Sequence, residues 1–216
     1  MDFIKSLLDS LLHIDDLLKT LIEQYGTFTH FILFFVIFCE TGLVVTPFLP
    51  GDSLLFAAGA FAALGALHLQ WVLILLFSAA VLGDTLNYWI GHWLGPKAFN
   101  GKLPFLRPSS LDHTHAFFAK YGGQTVILAR FVPFVRTFAP FVAGIGSMYY
   151  GTFLLYNLVG GLLWTVILTL LGYYFGTLDI VQENFEIAII AIVLISVLPL
   201  IWKAITTRLN SERKAS

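Results

Sequence analysis

The sequence predicts an all-α, polytopic integral membrane protein made of two inverted repeats and a C-terminal transmembrane helix. Each repeat is an amphipathic helix, a Pro/Gly-broken re-entrant hairpin and one full transmembrane helix. Composition is the first observation behind this: 58% of the residues are hydrophobic and 12% charged, with a mean hydropathy of +0.84, far from a soluble domain. The second is that the apolar runs are of two kinds. Some reach the roughly 20 residues that cross a bilayer, and others are shorter and interrupted by proline and glycine. The third is that the same order of segments recurs in the second half of the chain.

The net charge of −1 offers no general field for nucleic acid, and the single cysteine, Cys39, excludes a disulfide framework and a Cys-based metal cluster. No cofactor is implied. The 216 residues read as one membrane domain: repeat A over 1–93, a loop over 94–110, repeat B over 111–176, a last span over 187–202 and a tail over 203–216. Acidic and basic residues are mixed through 1–25, so this stretch does not read as a cleavable signal.

Within 1–25, Ile4, Leu7, Leu8, Leu11, Leu18, Leu21 and Ile22 recur at helical spacing, with charged residues between them. This predicts an amphipathic helix on the membrane surface, on a side the sequence leaves open. The next apolar run, from Phe28, meets Glu40 and breaks at Pro47, Pro50 and Gly51, just before Asp52. The run from Ser53 to Leu67 is too short to span and reads as the returning arm of a hairpin. At 1.5 Å per residue, Glu40 lies about 18 Å along its arm from Phe28, which puts both acids near the bilayer middle.

Trp71 to Trp93 is long enough to span, with Asp84 and Asn87 inside it as a candidate pathway. After the loop, Ser109 or Ser110 can cap a short amphipathic helix through Phe117, Phe118 and Tyr121. Residues 124–146 are again apolar and broken, at Pro133 and Pro140, with Arg130 and Arg136 inside the break. Full spans follow over 152–175 and 187–202. Pro47-Phe48 matches Pro133-Phe134, and Ala58-Gly59 matches Ala143-Gly144, at offsets that differ by one residue. A hairpin adds no crossing and a span adds one, so the second copy must be inverted, as in transporters with discontinuous helices. Basic residues collect in 94–120 and in the tail and are missing from 176–186, which predicts a cytoplasmic loop and C-terminus.

Glu40, Asp52, Arg130 and Arg136 are the strongest functional candidates, because a charge at the bilayer centre costs about 2.5–3.5 kcal/mol on insertion scales and usually faces a cavity, a partner or a substrate.

The stretches Glu40-Thr41-Gly42, Pro47-Phe48-Leu49-Pro50-Gly51-Asp52, Ala129-Arg130-Phe131-Val132-Pro133, Arg136-Thr137-Phe138-Ala139-Pro140 and Ala143-Gly144 resemble the signatures of the bacterial DedA family. The likeness extends to Gly83-Asp84, Tyr88, Gly91, Tyr156-Asn157 and Trp164. It implies a fold similar to the VTT-domain lipid scramblases and transport across the inner membrane: recycling of undecaprenyl phosphate, phospholipid flipping or proton-linked transport that supports the envelope. On the family pattern, Glu40, Asp52, Arg130 and Arg136 are the functional positions.

The chemistry of these residues is compatible with that. Arginines bind phosphate oxygens bidentately, so Arg130 and Arg136 are suited to draw a lipid phosphate headgroup into the membrane. Without substrate the two acids and two arginines are expected to neutralise one another, and Glu40 or Asp52 to exchange a proton as the site fills and empties. The expected partners are membrane lipids and protons, with no nucleic acid; self-association as a homo-oligomer stays open.

Structural roles are open to the same residues. Asp52 can N-cap Leu54 or Leu55, Glu40 can pair with an arginine to hold the hairpins, and Arg130 can snorkel. Asp84 and Asn87 can make a helix contact, Gly160-Gly161 can let helices approach, and His92, His113 and His115 can sit solvated. Three function classes follow: a proton-coupled lipid-phosphate translocase, a proton-coupled ion or small-solute antiporter, and an intramembrane enzyme. The enzyme reading is disfavoured because Ser53 and Ser147 have no histidine at useful spacing.

Overall fold

The structure is a computed structural model and describes residues 14–43, 51–97, 122–146, 148–178 and 181. Pro47 and Pro50, most of the 94–110 loop, the helix expected through Tyr121, the 187–202 span and the tail lie outside the described residues, as does the start of the first amphipathic helix.

Apolar residues at helical spacing give α1 (Ile14–Tyr25), whose Asp16, Lys19 and Glu23 are exposed while Leu18 is fully buried. A 3-10 turn (Gly26–Phe28) joins it to α2 (Thr29–Gly42). By length and composition the 27 residues of Asp16–Gly42 would pass as one membrane-crossing stretch. The chain bends there instead: Gly26 has φ +53°, and the Thr29 hydroxyl donates to the Leu21 carbonyl, 3.1 Å away. In a straight helix those residues would be about 12 Å apart along the axis. A separate amphipathic helix leading into a short arm is therefore what forms.

That arm, α2, has 14 residues, and α3 (Gly51–Ala63) has 13, so neither spans a bilayer alone. Their inner ends meet, since the Gly51 N–H donates to Glu40 Oε1 at 3.2 Å. Next comes α4 (Leu69–Lys97), whose 29 residues extend past the predicted 71–93 span and take in the first residues assigned to the loop. It is followed by α5 (Gln124–Ala129), α6 (Pro133–Ile145) and α7 (Tyr150–Phe175). The described residues are helical throughout, with no strand among them. Leu69–Leu94 and Tyr150–Phe175 are each long and apolar enough to cross a membrane. Phe35, Trp71, Ile74, Leu155 and Ile167 are exposed on the outside, as lipid-facing residues would be.

Two expectations are corrected. The break in the second half is single, at Arg130–Val132 before Pro133, while Pro140 lies inside α6. Arg136 therefore belongs to a helix, its N–H bonded to the Val132 carbonyl at 2.9 Å. A membrane helix tolerates an internal proline when neighbours satisfy nearby backbone groups. Here the Asn87 amide donates to the Thr137 carbonyl at 2.8 Å. Asp52 is not an N-cap, because α3 already starts at Gly51.

Packing is reciprocal. Arm α3 lies on α7, arm α6 lies on α4, and α2 also lies on α4. At the first contact a Cβ on Gly59 would strike the Thr169 backbone, and one on Gly172 the Phe56 backbone. At the second, a Cβ on Gly144 would strike the Tyr88 backbone, and one on Gly91 the Phe141 backbone. Phe56 and Gly59 thus stand to α7 as Phe141 and Gly144 stand to α4. Arms α3 and α6 each pack on the long helix of the other half of the chain, with glycines letting the backbones touch.

Candidate functional site

The inner ends of the short helices and the middle of α4 carry the buried ion pairs among the described residues, and the middle of α7 adds Asn157 and Trp164 to them. Glu40, two residues from the end of α2, is 1% exposed, and its Oε1 accepts from Arg136 Nη2 as well as from Gly51. Arg136 Nη1 donates to Asp52 Oδ1, in the first turn of α3. The same Asp52 oxygen accepts a 2.8 Å hydrogen bond from the indole Nε1 of Trp164 on α7. Three helices thus bring two carboxylates to one guanidinium group, each held by a single hydrogen bond from a different nitrogen.

Arg130, in the turn after α5, makes a separate site. Its Nη2 donates to Asp84 Oδ2 and to Asn157 Oδ1, and is 3.5 Å from the Ala80 carbonyl. Asn157 is oriented by donating to the Val81 carbonyl at 3.1 Å. Arg130 does not snorkel: it is 4% exposed and held by α4 and α7. Gly160 and Gly161 make room for it, since their Cβ positions would lie 3.1 Å from Arg130 Cδ and 3.5 Å from Cζ. Asn87 is a structural clamp, its amide donating to the Thr41 carbonyl at 3.1 Å and to Thr137. It ties α2 and α6 to α4.

The four expected charges therefore do not form one neutral quartet. Arg136 holds both acids, Arg130 takes a third acid, Asp84, and three acids, two buried and Asp52 partly so, face two arginines. The site has one excess negative charge among the described residues. Several of its polar atoms are buried with no hydrogen-bond partner among the described residues, including Glu40 Oε2, Arg130 Nε and Ser53 Oγ.

The reading of charges missed Trp164 and Asn157 as parts of the site. Their signal was available: a polar residue in an otherwise aliphatic span, with a tryptophan seven residues on, shares one helix face with it.

With this geometry in view, the VTT domain family matches residues 49–174, more than half of the chain. Protein DedA of Escherichia coli K12 is 50% identical over 218 residues, covering all of both chains. The chain belongs to the DedA family of VTT-domain membrane proteins. Inner membrane protein YqjA of Escherichia coli K12 is 39% identical over 148 residues, 68% of this chain and 67% of its own. An uncharacterized membrane protein of Mycobacterium leprae is 43% identical over 166 residues, 76% of this chain and 74% of its own. No solved structure matches the chain. The matched VTT segment contains Asp52, Asp84, Arg130, Arg136, Asn157 and Trp164 but begins after Glu40, so this DedA-family chain completes its Arg136 site from outside that segment.

Proposed function

We propose that the protein moves a lipid phosphate, undecaprenyl phosphate or a phospholipid, across the bacterial inner membrane with proton coupling. The observation that carries this reading is the Arg136 guanidinium, buried at the meeting of the short helical arms, whose two terminal nitrogens donate to carboxylates that a phosphate can replace. The excess of one acid over the arginines supports proton coupling, because a single bound proton makes the set neutral. Glu40 Oε2, buried without a partner, is a place for it.

Two further features support the architecture this needs. Arms of 14 and 13 residues with charged inner ends suit a re-entrant hairpin, and the exchanged Gly59/Gly172 and Gly144/Gly91 contacts suit two inverted repeats able to rock against each other. The relative YqjA is an inner membrane protein, which supports the inner membrane here, and the basic residues of the loop and tail support a cytoplasmic C-terminus. An ion or small-solute antiporter is the second reading, favoured by the uncompensated negative charge, which would suit a cation. An enzyme is not supported: Ser53 Oγ has no hydrogen-bond partner to act as its base, and Ser147 lies outside the described residues.

The test is reconstitution into phosphatidylcholine vesicles carrying a labelled polyprenyl phosphate or a labelled phospholipid. The wild type should move the label between leaflets, Glu40→Ala should not, and Arg136→Lys should saturate poorly because it loses the bidentate fork. Label movement equal to protein-free vesicles, together with proton-driven cation flux, would replace this reading with the antiporter.

Gly51→Ala tests the geometry from another side. A Cβ at position 51 would occupy the space of the Glu40 carboxyl group. That group ends a flexible side chain, so it can swing off Arg136 while the fold persists. Thermal melting should show a loss of only about 1–2 kcal/mol, with transport reduced at least about tenfold. A variant that transports like wild type would mean that the Glu40 position does not matter.

A further inference from the structure

We infer that Trp164 is the positioning residue of the anion site, holding Asp52 aside and the two arginines together while a phosphate occupies Arg136. This rests on the reading of Arg136 as the phosphate binder. Trp164 is 2% exposed in the middle of α7, where an aliphatic side chain would satisfy packing alone. Instead it touches all three kinds of group in the site. Its N–H donates to Asp52 Oδ1, and the guanidinium carbons of Arg136 and Arg130 lie 4.9 Å and 5.9 Å from its ring centroid.

The indole has two separate effects. Asp52 Oδ1 receives donors from both Arg136 and Trp164. When phosphate takes the Arg136 fork, Asp52 loses its charged partner, and the Trp164 N–H is the donor that remains. Without it Asp52 would depend on Arg136 alone and compete harder with the incoming anion. Asp52 is also the more accessible acid of the pair, with 13% of its side chain exposed against 1% for Glu40, so it is the one a ligand displaces first.

The second effect comes from the ring. Two like charges repel, and carboxylates that hold them together also occupy the N–H donors an anion needs. An aromatic face attracts a cation through its quadrupole and leaves those donors free. Trp164 thus gives both arginines one aromatic contact, with Arg130 anchored to Asp84 and Asn157 and Arg136 left to exchange partners.

The experiment uses the full chain in phosphatidylcholine nanodiscs and vesicles. With Trp71, Trp89, Trp93 and Trp202 replaced by phenylalanine, Trp164 is the sole tryptophan. Inorganic phosphate and a short-chain polyprenyl phosphate are titrated in separate arms. Either should change its emission saturably, and adding Arg136→Gln should abolish the change; a response to the lipid alone assigns the ligand to the bilayer. In transport, Trp164→Phe keeps the ring and loses the N–H, so the half-saturating lipid concentration should rise about tenfold with the maximal rate within about twofold. Trp164→Leu, which loses both, should rise well beyond that, with melting curves for the two variants alike.

Unchanged emission on addition of a phosphate that the wild type transports would overturn the assignment and leave the translocase reading standing. Equal losses in Trp164→Phe and Trp164→Leu that track their melting would overturn it too, as a purely structural role. A wild type that neither binds nor moves either probe would bring down the translocase reading and this inference with it.

Discussion

Arg136→Ala is expected to destabilise the detergent-solubilised protein by about 3–5 kcal/mol and to abolish transport. The guanidinium group is the charged partner of both Glu40 and Asp52, and its removal leaves two acids facing each other across the site. Breaking a buried pair from one side is far more damaging than losing a surface ion pair, because the remaining charge keeps its desolvation penalty. The neighbours offer little relief: Asp52 retains the Trp164 N–H and Glu40 the Gly51 N–H, both neutral donors. Adding Glu40→Gln and Asp52→Asn to Arg136→Ala should therefore recover much of the stability and none of the transport. Thermal melting and vesicle flux on the same preparations separate the two effects. A single variant as stable as wild type would mean that the site is hydrated enough to carry the acids unpaired.

The second large effect is expected at Arg130. Asp84→Leu leaves this arginine buried beside Asn157 with no acid, and should again cost about 3–5 kcal/mol. The double variant Arg130→Leu with Asp84→Leu removes both charges and should fall within about 1–2 kcal/mol of wild type, since replacing a whole buried pair with apolar residues is often neutral. A double-mutant cycle measured by melting gives the coupling directly. If the cycle shows no coupling, Arg130 and Asp84 do not depend on each other and Asn157 alone holds the arginine. The contrast with Arg136 is one of partners: Arg130 is held by one acid and one amide against a glycine-lined wall, and Arg136 by two acids.

Much of this was legible without the fold. Apolar runs of different length separated the long helices α4 and α7 from the short arms, and charge in apolar surroundings singled out Glu40, Asp52, Arg130 and Arg136. Two local readings went astray for identifiable reasons. Pro140 reads as a break because proline removes a helical hydrogen bond, yet α6 continues through it, with Asn87, 53 positions earlier in the chain, donating to the nearby Thr137 carbonyl. Asp52 was given a capping role because it precedes an apolar run, while the helix begins one residue before it and its carboxylate is turned to Arg136 and Trp164.

By itself the sequence determined the membrane setting, the helical segments and which charges are out of place, since these depend on local hydrophobicity, spacing and backbone preference. It also carried the family's signatures at nearly every position of the site. Partner choice was decided only by the tertiary structure. Arg136 reaches Glu40 across 96 positions of the chain and Asp52 across 84, Arg130 reaches Asp84 across 46, and Asp52 meets Trp164 across 112. Those pairings depend on how α3 rotates on α7 and α6 on α4, set by the glycine contacts where backbones touch. Helical periodicity fixes which residues share a face of one helix but not which helix that face will meet. For that reason the charges were visible in the sequence, while their division into an Arg136 site with two acids and an Arg130 site with one, both in contact with Trp164, was not.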